Sequence, residues 1–259
     1  MSRIFIFLLV AITACSDHKE IKTPAATGSA EPFLFTDEVG QAYLSWLEKQ
    51  DTITYFKYAT WKGDGWSEPV VIASGIKWFV NWADYPMLAV NKGKFIAHFL
   101  AKSGDGTFAY DVNLVTSANG TDWSSPGVIH DDQKQAEHGF VSLLPYGDNF
   151  LVAWLDGRNT VMEGMGNMDH HSGHHGTMTL RAAVIDTQGN KLSEWELDSR
   201  TCDCCQTAAA NTLNGPVVVY RDRSEDEIRD IAITRLVNNE WTVPEVIYTD
   251  DWKIAGLPG

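Results

Sequence analysis

Residues 122–129, which read DWSSPGVI, decide the fold because copies of this stretch recur along the chain. Residues 65–72 read GWSEPVVI and residues 240–247 read EWTVPEVI, and residues 190–197 form a degenerate copy in which Leu192 replaces the tryptophan. Measured at the tryptophan position, the copies follow one another after 57, 69 and 49 residues. A motif that recurs at such a period predicts a protein built from repeated supersecondary units.

Short strands are predicted around each copy, since runs rich in β-branched and aromatic residues are separated there by Gly, Asn and Asp. No window has a helical period longer than a turn or two. The second strands of the four units are predicted at residues 41–47, 94–100, 149–155 and 216–221, and the third strands at 52–60, 109–117, 178–186 and 230–236. Four strands per unit predict an all-β fold, a β-propeller with four-stranded blades. Four blades fit into residues 32–259, and residues 251–259 resemble 78–86 as the lead into a fifth innermost strand; a four-blade ring with a tail is the alternative.

Residues 117–123, which read SANGTDW, resemble a shortened Asp box with Asn119 in the usual place of aspartate. Residues 62–66 and 237–241 are weaker versions of the same turn. The chain therefore resembles the sialidase-like propellers with Asp-box, or BNR, repeats. In that family the box is structural and closes the hairpin between the third and fourth strands. The resemblance also implies six blades in a complete ring, so we expect this chain to be a C-terminally truncated member.

The N-terminus predicts an exported lipoprotein. Arg3 precedes an apolar run at residues 4–12 that is too short to span a bilayer, which is typical of a signal peptide. Ile12, Thr13, Ala14 and Cys15 resemble a bacterial lipobox, which implies cleavage after residue 14 and lipidation of Cys15. Residues 15–31 are polar and suit a flexible tether. We therefore expect the protein in the cell envelope, anchored to the membrane; an ordinary secretory signal is the alternative.

The charge of the chain excludes one class of partner. There are 34 acidic residues against 20 basic ones, and the formal net charge is −14. Nucleic-acid binding depends on Lys and Arg at phosphates, so we expect no nucleic-acid partner. The same charge is compatible with collecting cations, although solubility alone explains it equally well.

Residues 162–205 hold most of the metal-ligating side chains, including half of the eight histidines and three of the four cysteines. Thiolates and thioethers prefer Cu(I), and imidazole accepts Cu or Zn, so this cluster predicts a copper site, with zinc less favoured. The propeller would bring the loop at 159–177 and the cysteines of the next blade to one rim. The proposed ligands are Cys202, Cys204, Cys205, Met162, Met165, Met168, His170, His171, His174, His175 and Met178.

Two alternatives to the metal site follow from the same residues. Exported proteins favour disulfides, so Cys202 could pair with Cys205 or Cys204 and leave one thiol free. A His-rich, Gly-rich loop could instead be a polar insertion that binds metal only adventitiously, although its methionines favour copper.

Two further functions remain open at this stage. A sialidase-type glycoside hydrolase would need an arginine triad, an acid and a tyrosine nucleophile. The candidates are Asp84 and Asp156 as acids, Tyr85 as nucleophile, and Arg158, Arg221 and Arg223 as arginines, although no arginine occurs between Arg3 and Arg158. The third function is a module that binds a glycan or an envelope protein through aromatic residues at the blade entries, namely Trp78, Phe79, Trp82 and Trp252.

Overall fold

The computed structural model describes residues 21–161 and 176–254, and within them all regular structure is β-strand. Four antiparallel sheets follow one another along the chain, and each is formed by strands that are consecutive in sequence. The described residues contain no helix long and apolar enough to cross a membrane. Cys15 and the rest of the predicted signal segment lie outside the described residues, so the lipoprotein assignment stays a prediction.

The first two sheets have the same order. Sheet 1 comprises β1 (Ser29–Thr36), β2 (Ala42–Gln50), β3 (Ile53–Thr60) and β4 (Val70–Gly75). Sheet 2 comprises β5 (Leu88–Asn91), β6 (Lys94–Lys102), β7 (Tyr110–Ser117) and β8 (Gly127–Val128). In both sheets each strand pairs with its neighbour in sequence.

The last two sheets repeat this order. Sheet 3 comprises β9 (His138–Tyr146), β10 (Asn149–Asp156), β11 (Thr179–Ile185) and β12 (Lys191–Asp198). Sheet 4 comprises β13 (Ala208–Thr212), β14 (Gly215–Arg221) and β15 (Ile231–Val237), with β16 (Glu240–Trp241) and β17 (Glu245–Tyr248) both paired to β15. The predicted four-stranded units are therefore confirmed, whereas the number of blades in a complete ring stays a prediction.

One predicted boundary is wrong. The first strand begins at Ser29, inside the segment predicted as a tether. Residues 78–86 precede the first strand of sheet 2, which is Leu88–Asn91, where four successive buried residues pair with β6. In the terminal segment, Lys253 forms an isolated bridge with Ile228, and residues 255–259 lie outside the described part of the chain.

The turn at residues 117–123 closes the hairpin between the third and fourth strands of sheet 2, as predicted. The Asn119 side-chain oxygen accepts hydrogen bonds from the backbone N–H groups of Thr121 (3.0 Å) and Asp122 (2.9 Å). The Ser117 hydroxyl accepts one from the N–H of Gly120 (2.9 Å), which has a φ of +80°. A side-chain oxygen that caps two or more backbone donors explains why this short polar sequence specifies the turn.

The hydrophobic core lies between successive sheets. One cluster joins sheets 1 and 2, a second joins sheets 2 and 3, and a third joins sheets 3 and 4. Because side chains alternate along a strand, Val152 and Trp154 of β10 face sheet 2, whereas Leu151 and Leu155 face sheet 4. Sheet 3 is thus buried on both faces, and the segments that link successive sheets are held in fixed positions.

Candidate active site

The segments that link one sheet to the next carry a pair of carboxyl groups joined by a tyrosine. Asp84 lies in the link between sheets 1 and 2, and Glu137 ends the link between sheets 2 and 3. The Tyr110 hydroxyl lies 3.1 Å from Asp84 Oδ2 and 2.9 Å from Glu137 Oε1. We call Asp84 and Glu137 the carboxyl pair. A hydroxyl has one proton, so it donates to one carboxyl and accepts from the other, which requires one of the two to be protonated.

The backbone of sheet 3 approaches this pair closely. Asp84 Oδ1 accepts a hydrogen bond of 2.7 Å from the N–H of Phe140. A Cβ on Gly139 would lie 2.0 Å from Asp84 Oδ2 and 2.9 Å from the Tyr110 ring. Residue 139 must therefore be glycine for Asp84 to reach its partners.

Burial dominates the protonation of the carboxyl pair. Asp84 is 1% exposed, and burial raises its pKa to about 7 although the N–H of Phe140 and the hydroxyl of Tyr110 oppose the shift. Burial likewise raises the pKa of Glu137 to about 8, and the negative charges of Asp84 and Asp203 add to the effect. Glu137 is half-buried, whereas Asp84 is buried. The pair thus offers a half-buried carboxyl that keeps its proton at neutral pH.

Asp203 brings a third carboxyl to the same region, from the link between sheets 3 and 4. Both of its oxygens accept hydrogen bonds from Arg223 Nη1, at 2.9 and 3.0 Å. Burial raises the pKa of Asp203, but the charges of Arg223 and Arg229 oppose the shift. Its charge in turn raises the pKa of Glu137. The site therefore combines a protonated carboxyl with an ion-paired one.

The three candidate arginines are all engaged by carboxylates of this chain. Arg158 donates two hydrogen bonds of 2.8 Å to the buried Asp156, and their ion pair lowers the pKa of Asp156 although burial opposes it. Arg221 pairs with Asp250 at 3.0 Å. Arg223 pairs with Asp203, as described, and with Glu227. The structure does not bring these arginines together as a free triad, and it turns Asp156 into a structural partner of Arg158.

Tyr85 is not placed as a nucleophile. Its ring lies 6.1 Å from that of Phe33 and packs against the core between sheets 2 and 3. Within the described residues no carboxylate forms a hydrogen bond to its hydroxyl. Tyr85 packs against the core in this way, and its role as the nucleophile stays a prediction.

The cysteines adopt the alternative arrangement. Cys202 and Cys205 form a disulfide with a Cα–Cα distance of 5.7 Å, and Cys204 is a free thiol that is half-buried. Burial, together with the charges of Asp203 and Glu137, raises the pKa of Cys204. The prediction of three thiolate ligands is wrong for this oxidised form, because two of the sulfurs are bonded to each other. The three sulfurs nevertheless lie within 4.8 Å of one another.

The predicted methionine and histidine ligands fall into two groups. Met178 is 1% exposed and packs in the core between sheets 3 and 4, so its prediction as a metal ligand is wrong. It precedes β11, where burial against sheet 4 fixes it. The other ligands lie outside the described residues, namely Met162, Met165, Met168, His170, His171, His174 and His175.

The aromatic residues proposed for glycan binding differ in exposure. The rings of Trp78 and Phe79 stack on Phe99 (4.1 Å) and Tyr110 (4.0 Å), so both are packing residues. Trp82 is 83% exposed and follows Asn81, whose carbonyl accepts a hydrogen bond from the N–H of Asp84. This turn presents an open indole two residues before a member of the carboxyl pair.

A second group of polar residues was missed by the sequence reasoning. His130 and His138 stack with ring centroids 3.5 Å apart and planes inclined by 7°. Asp132 contacts both rings, at 2.6 Å from His130 Nδ1 and 3.2 Å from His138 Nε2, and Asp111 lies 3.4 Å from His130 Nε2. Burial lowers the pKa of His130, but Asp111 and Asp132 outweigh it and raise that pKa overall. If Asp156 is included, the residues of this group come from four separate segments of the chain, so no local motif predicts the group.

Comparison with known proteins gives the fold. No family model matches the chain, and no curated protein matches it. Among solved structures, an alpha-L-arabinanase of Penicillium chrysogenum complexed with arabinobiose has a TM-score of 0.53 at 14% identity, covering 82% of this chain and 63% of its own. An alpha-L-arabinofuranosidase from Lactobacillus brevis has a TM-score of 0.50 at 13% identity, covering 83% of this chain and 72% of its own. The fold is of the β-propeller type.

These structural neighbours are glycoside hydrolases by name, but sequence identities below 15% support only a shared fold. This chain spans 63% of the length of the arabinanase and 60% of that of an arabinofuranosidase from Fusarium graminearum, which has a TM-score of 0.50 at 9% identity. These structures are not sialidases by name, so the specific resemblance to sialidase-like propellers stays a prediction.

Proposed function

We propose that this propeller is a glycoside hydrolase that acts on a neutral sugar, with Glu137 as proton donor. The observation that carries the proposal is the half-buried carboxyl of Glu137, whose pKa is raised to about 8 in part by the charge of Asp203, an aspartate that is ion-paired with Arg223. Glycoside hydrolysis needs one protonated carboxyl to protonate the leaving group and one carboxylate as base or nucleophile. When the surroundings of two such carboxyls give them different pKa values, one keeps its proton and the other is ionised, which divides the two roles between them.

The proposed roles follow from the contacts of each carboxyl. Glu137 donates its proton to the glycosidic oxygen, and Asp203 acts as the carboxylate. Asp84 has almost no exposed surface, so it acts as a positioning residue that holds the proton of Glu137 through the Tyr110 hydroxyl. The arabinanase and arabinofuranosidase names of the structural neighbours agree with a hydrolase and suggest arabinosides as the first substrates to test.

A neutral sugar fits better than sialic acid. Recognition of the sialic acid carboxylate relies on guanidinium groups that are free to bind it in two-point fashion. Arg158, Arg221 and Arg223 each have a carboxylate of this chain as partner. Releasing one of them would leave that carboxylate without its counter-ion, and for the buried Asp156 such a loss costs about 3–5 kcal/mol.

The test is hydrolysis of aryl glycosides by the full-length protein and by Glu137→Gln. The panel contains an α-L-arabinofuranoside, other neutral glycosides and a sialoside. We expect turnover of a neutral glycoside and a fall in kcat of about 10²–10⁴-fold in the variant, since the proton donor is lost. Glu68→Gln, which changes an exposed glutamate to the same amide, is the matched control. Turnover of the sialoside alone, or a Glu137→Gln enzyme with unchanged kcat, contradicts the proposal.

Trp82 provides a separate readout of sugar binding. An exposed indole near the carboxyl pair is suited to stacking on the face of a sugar ring. We expect Trp82→Ala to raise KM with little change in kcat, because stacking acts on bound substrate and transition state alike. If no glycoside is hydrolysed but sugars still bind and Trp82→Ala abolishes that binding, the propeller is a glycan-binding module.

Copper binding by the reduced protein is a second candidate function. It is favoured by the three sulfurs of Cys202, Cys204 and Cys205, which lie within 4.8 Å of one another. Reduction of the disulfide would supply thiolates that prefer Cu(I). We expect the reduced protein to bind Cu(I) and the oxidised protein to bind less, with Cys204→Ser lowering the affinity of the reduced form. Equal binding by both redox forms would rule out the cysteines as the site.

Export and lipidation at Cys15 also belong to the proposal. The expected result is that the protein fractionates with membranes and that Cys15→Ser releases it into the soluble fraction. An unchanged membrane fraction would contradict the lipid anchor.

A further inference from the structure

We propose that the disulfide between Cys202 and Cys205 is a site of thiol–disulfide exchange with an external dithiol, and that its reduction releases Asp203 from its present position. The two cysteines enclose Asp203 and Cys204 in a turn. The exchange itself does not rest on the hydrolase function. Its effect on hydrolysis does, because that effect depends on Asp203 as the carboxylate of the proposed enzyme.

The two bonded sulfurs differ in access. Cys202 is 1% exposed, whereas Cys205 is half-buried. Cys205 also lines an open cavity of about 630 Å³. The other residues that line this cavity are Arg221, Asp250, Asp251, Trp252 and Lys253. Because exchange requires a thiolate to reach one of the two sulfurs, the attack takes place at Cys205 from the side of the cavity.

The exchange proceeds in two steps. A thiolate of the dithiol attacks Cys205 Sγ, the bond to Cys202 breaks, and Cys202 leaves as a thiolate that takes up a proton. The second thiol of the reagent then loses its proton and attacks the reagent's own sulfur in the mixed disulfide, so that Cys205 is released and protonated. The protein disulfide is thereby reduced to a pair of thiols, and the dithiol is oxidised to its cyclic or internal disulfide.

The turn lies between two anchored ends. On one side, the N–H of Cys202 donates a hydrogen bond of 3.0 Å to the carbonyl of Arg221, the last residue of β14. On the other side, the Thr207 hydroxyl donates one of 2.7 Å to the carbonyl of Phe140 in β9. These contacts do not involve sulfur. They therefore persist after reduction and confine the change to residues 203–205.

Reduction changes the geometry of the turn without removing support from the core. Bonded sulfurs lie about 2.05 Å apart, and two separate thiols cannot approach so closely. Because Cys202 is buried and anchored, the displacement falls on residues 203–205. The two cysteines are 3 residues apart, and a disulfide that closes so short a loop contributes less to the stability of a fold than one that closes a long loop. We therefore expect the reduced propeller to stay folded.

Asp203 has two restraints, and reduction removes one of them. Its backbone is held inside the disulfide-closed turn, and its side chain is held by Arg223 Nη1 at 2.9 and 3.0 Å. The two side chains of that ion pair are 25% and 21% exposed. Ion pairs in contact with water hold a geometry weakly. Once the turn opens, Asp203 is therefore free to leave the position that it has beside Glu137 in the oxidised protein.

The first experiment identifies the sulfur that is attacked. The full-length protein is treated with dithiothreitol without denaturant, in the presence of a chelator so that copper plays no part, and is then alkylated and mapped by mass spectrometry. We expect Cys202 and Cys205 to become alkylated together. With the monothiol 2-mercaptoethanol we expect a mixed disulfide on Cys205. Cys204→Ser is the matched control and should react in the same way.

The second experiment follows the turn by amide hydrogen exchange. We expect reduction to speed up exchange in residues 203–205 and to leave β10 unchanged, with the same circular dichroism spectrum in both redox forms. A double variant, Cys202→Ser with Cys205→Ser, should show the fast exchange with or without dithiothreitol. If that variant fails to fold, the reduced wild type supplies the same comparison.

These results separate an exchange site from a structural disulfide. Reduction only in denaturant, a mixed disulfide on Cys202, unfolding on reduction, or unchanged hydrogen exchange at residues 203–205 would overturn the proposal. In the hydrolase assay we expect reduction to lower kcat by about 10²-fold, a loss typical of a misplacement of about 1 Å. Equal kcat in both redox forms would overturn the release of Asp203. Absence of hydrolysis in both forms would contradict the hydrolase function, whereas alkylation and hydrogen exchange would still decide the exchange.

Discussion

The carboxyl of Asp84 makes the stability of this protein depend on pH in a direction opposite to that of most carboxylates. It is fully buried, and burial raises its pKa from 3.8 to about 7. In the unfolded chain the same group titrates at its ordinary value. Between these two pKa values the folded protein holds a proton that the unfolded chain has released, so the free energy of unfolding falls as the pH rises.

The size of the effect follows from the shift. Each unit of pKa difference corresponds to about 1.4 kcal/mol, so a shift of about three units corresponds to on the order of 4 kcal/mol. This stabilisation is complete below about pH 4 and is lost progressively until the pH reaches the folded pKa near 7. The side chain of asparagine does not titrate in this pH range, and its oxygen can still accept the hydrogen bond from the N–H of Phe140.

Asp84→Asn should therefore gain stability relative to the wild type as the pH rises, by on the order of 3 kcal/mol between pH 5 and pH 8. The assay is urea unfolding at a series of pH values with the disulfide intact. Asp105→Asn, which changes an exposed aspartate in the same way, should show no such trend. A stability difference that is constant across this range, or that moves in favour of the wild type, would refute the argument from burial.

Three further substitutions test packing around the site. Gly139→Ala should destabilise the protein by about 1–3 kcal/mol in urea unfolding, because the new Cβ would lie 2.0 Å from Asp84 Oδ2. Arg158→Ala should lower the free energy of unfolding by about 3–5 kcal/mol, since it leaves the buried carboxylate of Asp156 without its partner. Met178→Ala should cost about 2–5 kcal/mol by thermal or urea unfolding, with or without copper, because Met178 fills core volume.

For each of these three substitutions, a further measurement separates the proposed cause from a general loss of stability. Gly127→Ala should be tolerated, since a Cβ there meets nothing within 4 Å. Lys92→Ala removes one partner of an exposed ion pair with Asp148 and should leave unfolding unchanged. A copper-dependent stability of the wild type that Met178→Ala abolishes would instead return Met178 to the list of ligands.

The strands were predictable because their signals are local. Alternation of apolar and polar residues placed all four second strands and all four third strands within a few residues of their positions. The side-chain capping at Asn119 similarly acts over a span of three residues. The boundary at Ser29 was missed because pairing with β2 decides it, and such pairing is not visible in the segment itself.

The candidate site was only partly predictable, since its residues come from different sheets. Asp84 was named, but Glu137 and Asp203 were not, although each lies in the segment between one tryptophan-motif copy and the first strand of the next sheet. Clustering in sequence proved a weaker guide, because it favoured Met178, which the fold buries in the core.

The stacked histidines and the carboxyl pair are connected through the backbone, because neighbouring residues belong to the two groups. His138 follows Glu137 directly, so the contacts that fix its ring also fix the backbone from which Glu137 reaches Tyr110. Asp111 follows Tyr110 in the same way. A shift of either backbone segment would therefore move the Tyr110 hydroxyl or the Glu137 carboxyl, which share the proton of the carboxyl pair. Proton transfer depends on the positions of the donor and acceptor atoms, so such a shift would weaken Glu137 as a proton donor. The two groups form one unit across the strand pair, and substitutions in them should not be additive.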